Sequence, residues 1–147
     1  MIASEGRIGR VFVLRLQEGD KVPDCIEEFA KERAVESATC LMLGGVGSGN
    51  LVVGPLNPHS RPIEPMLKSL DIAHEVVAVG TIFKNEDGAP RLHMHGALGR
   101  GGYTAMGCLR QGVEIWGLAE VVLLEITGLG MLRKMDPVFG FEVLSKE

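Results

Sequence analysis

The chain lacks several features that would assign it quickly to a class. It carries no excess of positive charge: 15 Lys and Arg stand against 19 Asp and Glu, for a net charge of -4. Phosphate neutralisation supplies most of the affinity of a dedicated DNA binder, so such proteins usually display a basic face. Here basic and acidic residues are interspersed. The three cysteines, Cys25, Cys40 and Cys108, are odd in number and show no paired spacing, which argues against a disulfide framework and for a reduced compartment. No apolar run approaches the roughly 20 residues of a membrane span. Even the stretch from Leu118 to Ile126 is interrupted by Glu120. The first ten residues, MIASEGRIGR, contain no apolar signal core, so a cytoplasmic protein is expected.

What is present suits one domain with one core: 147 residues, 46% hydrophobic and 23% charged. Residues 10–16, RVFVLRL, alternate as a strand does, with Val11 and Val13, or the leucines, expected to face the core. A helix is expected over 22–35, with Pro23 in its first turn. ATCLML (38–43) reads as a buried strand, and GGVGSGN (44–50) as a turn before LVVG (51–54). The proline-rich stretch PLNPHSRPIEP reads as a loop, followed by a strand in MLKSLDI. EVVAVGTIF and RLHMHGAL form a hairpin across the Asp-Gly turn signal in NEDG. GRGGYTAMG reads as a loop with a short strand. AEVVLLEIT is another strand, and FGFEVL (139–144) an edge strand. A second helix near 109–116 is the most the remainder allows. The expected fold is a single α+β domain, 1–147, with about seven strands in a largely antiparallel sheet.

His93 and His95 lie two apart on the predicted strand, so both imidazoles point to one face. Leu92, Met94 and Leu98 then point to the other face, toward the core. Two neighbouring imidazoles suit a metal, and the glycine-rich stretch can bring Cys108 back toward them. Zinc accepts this mixture of nitrogen and sulfur, and three protein ligands leave one position open. The alternative is an exposed histidine pair beside an ordinary buried cysteine. Arg91 shares the histidine face and could hold an anionic substrate, or be a plain surface arginine. Glu120 could be buried against a partner, and His59 belongs to the proline loop. Tyr103 and Trp116 suit packing better than catalysis. The glycines at 45, 47 and 49 could cradle an anion, but neither a following helix nor a Gly-Lys-Ser/Thr element supports that.

The segment HEVVAVGTIFKNEDGAPRLHMHGALG, with LGGVGSGNLVVG before it and MGCLRQGVEIWGLAEVVLLE after it, resembles the PPC (plants-and-prokaryotes-conserved) family. The resemblance runs over roughly residues 8–144 with the motifs in order. It implies a homotrimer and, in prokaryotic members, a zinc ion held by the two strand histidines and a third histidine. This chain has Cys108 at that third position, which preserves ligand capacity. The resemblance also places Glu75 at the family's acidic position. There it could orient a ligand histidine or carry a proton, or be a solvated strand carboxylate. Plant members pair the domain with an AT-hook for DNA contact. None is present here, so the DNA-binding label given to prokaryotic relatives is not expected to apply. The family fold is also similar to that of acetolactate decarboxylase, a zinc enzyme, which is an analogy of fold only. The leading expectation is a homo-oligomeric, metal-holding binding module with a small-molecule or regulatory role. The rivals are a zinc-dependent hydrolase or lyase and a DNA-binding protein.

Overall fold

The computed structural model describes residues 1–110 and 112–147. Ten strands and one helix are found among them: β1 Arg7–Gln17, β2 Lys21–Val22, α1 Asp24–Glu32, β3 Ser37–Pro55, β4 Pro65–Leu70, β5 His74–Lys84, β6 Pro90–Arg100, β7 Tyr103–Leu109, β8 Val113–Thr127, β9 Met131–Asp136 and β10 Phe141–Lys146. Eight strands form one antiparallel sheet whose main path is β1-β8-β3-β5-β6-β7. β2 joins it along β8, and β4 along β3. β9 and β10 form a separate two-stranded sheet, with β10 paired only to β9.

The long strand β3 organises the sheet. Its first half lies between β5 and β8, while Leu51 and Val52 pair with Leu109 and Cys108 of β7. The sheet therefore rolls until β7 meets the far half of β3, and Met42, Val46, Leu51, Ile82, Met94 and Leu98 fill the inside. The residues 44–50, expected as a turn, lie within this strand. Two register shifts against β8, at Gly44/Val46 and Val46/Ser48, bend it without breaking it. Glycine permits that approach. At Gly44, with φ of 147°, a Cβ would stand 2.4 Å from the Leu118 carbonyl oxygen.

α1 is shorter than the periodicity suggests. Ile26 and Ala30 are buried and Phe29 packs beside them, one apolar stripe at helical spacing. The helix closes where Ala34 takes a positive φ of 51°, and the Val35 N–H returns to the Ala30 carbonyl at 2.8 Å. α1 is the one helix among the described residues. Within the second expected helix, 109–116, Leu109 ends β7 and residues from Val113 onward belong to β8; Gln111 lies outside the described residues.

In β1 the leucines, and not the valines, face the core. Val11 and Val13 are exposed, Leu16 is buried, and Phe12 and Leu14 pack against the core. Both parities of this strand are apolar, so alternation alone does not choose the inner one. The outward residues of β1, β3 and β5 make a continuous apolar face. In register, Val13 stands opposite Val122, Leu41 opposite both Val122 and Val79, and Leu43 opposite Val77.

Candidate metal centre

β5 and β6 form the hairpin expected from the Asp-Gly signal. Asn85 closes its turn, its side-chain oxygen accepting from the N–H groups of Asp87 and Ala89 at 3.1 and 3.0 Å. The register that follows sets Thr81 opposite His93 and Val79 opposite His95. Met94 and Leu98 are buried, and His93 and His95 are exposed on the other face, as period-two alternation requires.

A two-residue turn carries β6 into β7. Gly101 and Gly102 both have positive φ, 58° and 86°, the pattern of a type I′ hairpin. Arg100 then pairs with Tyr103, and five rungs further along Cys108 falls opposite His95. The expected loop is thus a tight turn and a full strand. Its length places the thiol on the histidine face.

The three side chains converge. The His93 and His95 Nε2 atoms are 3.0 Å apart, with their rings edge to face at 72°. One ligand atom from each of His93, His95 and Cys108 lies within 4.8 Å of the others. A tetrahedral zinc with bonds of about 2.0–2.3 Å separates its ligand atoms by roughly 3.3–3.6 Å. Small side-chain rotations bring this group to that spacing, so the residues fit a divalent ion that accepts nitrogen and sulfur.

The electrostatics suit neutral donors. Burial holds the His93 imidazole below its ordinary value, helped by the charges of Arg133, His95 and Arg110. Burial pushes the Cys108 thiol up, while the Arg110 and Arg133 charges and a backbone N–H act in the opposite sense. A divalent ion would therefore displace the thiol proton on binding.

The other singled-out residues are dispersed. Glu75 is exposed on β5 opposite Gly99, four rungs and roughly 13 Å along the strand from the His95 rung. Arg91 shares the histidine face, but its Nη1 stands 3.5 Å from the Glu27 carboxylate of α1. His59 is exposed in the proline loop, and Glu120 is exposed on the outer sheet face opposite Leu43 and Arg15. Tyr103 is exposed, and Trp116 is half exposed with its side chain lying against Gly45 and Gly47.

Sequence reasoning missed Arg133. It lies on β9, which was not anticipated because Arg133-Lys134 disguises the alternation of MLRKMD. Arg133 is 7% exposed and stacks over the Phe83 ring at 5.8 Å. Its Nη2 donates to the Thr81 hydroxyl oxygen at 3.1 Å, beside His93.

A family model, the Plants and Prokaryotes Conserved domain, matches residues 3–127. The chain belongs to the plants-and-prokaryotes-conserved family. The three candidate ligand positions lie inside the matched PPC segment, whereas β9 with Arg133 lies beyond it. A search of curated proteins returns no match. Among solved structures, a metal-containing protein of Archaeoglobus fulgidus is 26% identical, with a TM-score of 0.85 over 99% of this chain and 100% of that one. A PPC protein of Pyrococcus horikoshii is 23% identical, with a TM-score of 0.85 over 100% and 99%. A Bacteroides thetaiotaomicron protein whose name provisionally assigns it to DNA binding is 18% identical, with a TM-score of 0.77 over 95% and 96%. The last two show the shared PPC fold.

Proposed function

We propose that this PPC domain is a homo-oligomeric module that holds one zinc ion per chain on His93, His95 and Cys108 and serves a small-molecule or regulatory role. The observation that carries this reading is the convergence of three ligand atoms within 4.8 Å on one face of a hairpin sheet. The A. fulgidus relative, described as metal-containing, supports it. The donor set favours zinc over magnesium or calcium, which seek oxygen. Elemental analysis of the purified protein and of His95→Ala tests the site. Zinc near one equivalent in the first and little in the second is expected. Equal content in both would return the cluster to an exposed histidine pair.

The assembly we propose is a homotrimer. Val11, Val13, Leu43, Val77 and Val79 are each more than half exposed on the continuous sheet face described above. An apolar surface of that kind is usually buried by association. A monomer mass in light scattering across a wide concentration range would refute the trimer.

One observation favours a second reading, a zinc-dependent hydrolase or lyase. Both imidazoles are exposed in the single chain, which leaves the cluster accessible there, as a catalytic site requires. A metal bound there would supply Lewis acidity. Cys108 would hold it with a thiolate that tempers that acidity, and Glu75 would need a distant substrate group to take part.

A further inference from the structure

The charge around the cluster is unbalanced. Arg133 is buried, yet the ion pairs found among the described residues are Arg10–Glu125, Lys84–Glu36, Lys84–Glu147 and Arg91–Glu27. Its hydrogen bonds go to neutral oxygens: Nη2 to the Thr81 carbonyl and hydroxyl, at 3.4 and 3.1 Å, and Nε to the Arg91 carbonyl at 3.4 Å. Glu142, Cys108 and Glu27 exert attractive fields on it, but the Glu142 carboxylate receives the Asn85 amide at 3.4 Å and Glu27 pairs with Arg91. Buried charges are ordinarily paired. Nη1 has no protein partner among the described residues. Nη1 is thus left with two donors that no described residue engages.

The position of this guanidinium gives the imbalance a use. Thr81, on which it rests, stands directly opposite His93, and Arg91, whose carbonyl it binds, precedes His93 by two residues on the same face. Arg110, two residues past Cys108, adds a second positive field at the same ligands. A divalent ion on two imidazoles and one thiolate retains net positive charge, so the loaded cluster and both arginines share one sign. We infer that the open side of the cluster binds a small carboxylate-bearing molecule, with Arg133 holding the carboxylate through Nη1 next to the metal position. This rests on the metal reading above. A carboxylate can place one oxygen on Nη1 and turn the other toward the metal position. A tetrahedral oxyanion carries further oxygens, whereas the Nη2 and Nε donors of Arg133 are already engaged.

The test uses the cobalt-loaded protein, whose visible absorption reports ligands at the metal. Cobalt content is measured first, then acetate and, separately, sulfate are titrated into the protein, Arg133→Gln and Arg91→Gln. Acetate should shift the cobalt bands. Arg133→Gln should weaken acetate at least tenfold at unchanged cobalt content, while Arg91→Gln, whose guanidinium is engaged by Glu27, should leave it within about twofold. Equal acetate affinity in Arg133→Gln, tighter binding of sulfate than of acetate, or no band shift up to about 0.1 M acetate would overturn the inference and leave the metal site standing. A chain that takes up no cobalt would bring down the metal reading, and this inference with it. Should Arg133→Gln fail to fold, the unmutated zinc form still decides the matter. The Arg133 Nε–H resonance must move with acetate at the midpoint of the cobalt titration, and a stationary resonance refutes the contact.

Discussion

Zinc should raise the thermal stability of this domain, and replacing His95 with alanine should abolish the rise without harming the fold. The site is nearly formed without the ion: the Nε2 atoms are 3.0 Å apart and the whole set lies within 4.8 Å. Binding then requires about 1 Å of side-chain movement, so little of the binding free energy is consumed in ordering the ligands. A ligand that binds only the folded state stabilises it by RT ln(1 + [L]/Kd), about 2.7 kcal/mol when free zinc is a hundredfold above Kd. For a domain of this size each kcal/mol moves Tm by roughly 2–4 °C, so a rise of about 5–11 °C is expected. His95 is exposed, and its truncation alone should shift stability by no more than about 0.5 kcal/mol. It is therefore a cleaner probe than buried Cys108, whose loss also opens a small cavity. Scanning calorimetry in zinc buffer and in chelator, for both proteins, provides the comparison. The effect should fade as pH falls, because protons compete for the imidazoles and the thiolate. A zinc-dependent rise of equal size in His95→Ala would refute the reasoning.

The Arg10–Glu125 clamp should make the fold acid-sensitive. Three donors of Arg10 (the backbone N–H, Nε and Nη2) reach the Glu125 carboxylate at 2.9, 2.7 and 2.5 Å and pull it down to about 2. The folded value lies below the unfolded one, so its stabilisation is full above the ordinary carboxylate range and is lost as pH falls toward about 2. Urea unfolding across that range should show Glu125→Gln less stable by about 1–3 kcal/mol at neutral pH, with a flatter acid limb; parallel curves would contradict this. Gly44→Ala should destabilise the domain by about 2 kcal/mol or more in denaturant titration, since its Cβ would meet the Leu118 carbonyl oxygen at 2.4 Å; an unchanged midpoint would show that β3 is not held close to β8 there. In gel shift at near-physiological salt, only weak, salt-sensitive association with DNA is expected from a chain of net charge -4, and sub-micromolar, sequence-dependent binding would contradict it.

By itself the sequence determined the β5–β6 hairpin and its inward and outward faces. In LHMHG only one parity is apolar, so the pleat leaves no choice about where His93 and His95 point. The β5–β6 turn carries its own Asp-Gly signal. The Gly101-Gly102 turn makes Cys108 the residue opposite His95 once both strands are extended. The family motifs lay in the same span. Where the sequence was ambiguous, tertiary contacts decided. β1 is apolar on both parities, and only packing on the core put Phe12, Leu14 and Leu16 inside while leaving Val11 and Val13 on the outer face. The glycine run could turn or continue; close passage beside the backbone of Leu118 and Ala119 made it a bulged strand. Arg133 was illegible because its position depends on no local pattern. It lies beside the His93 rung, about 40 residues earlier in the chain, because the small β9–β10 sheet docks against β5 at Thr81 and Phe83.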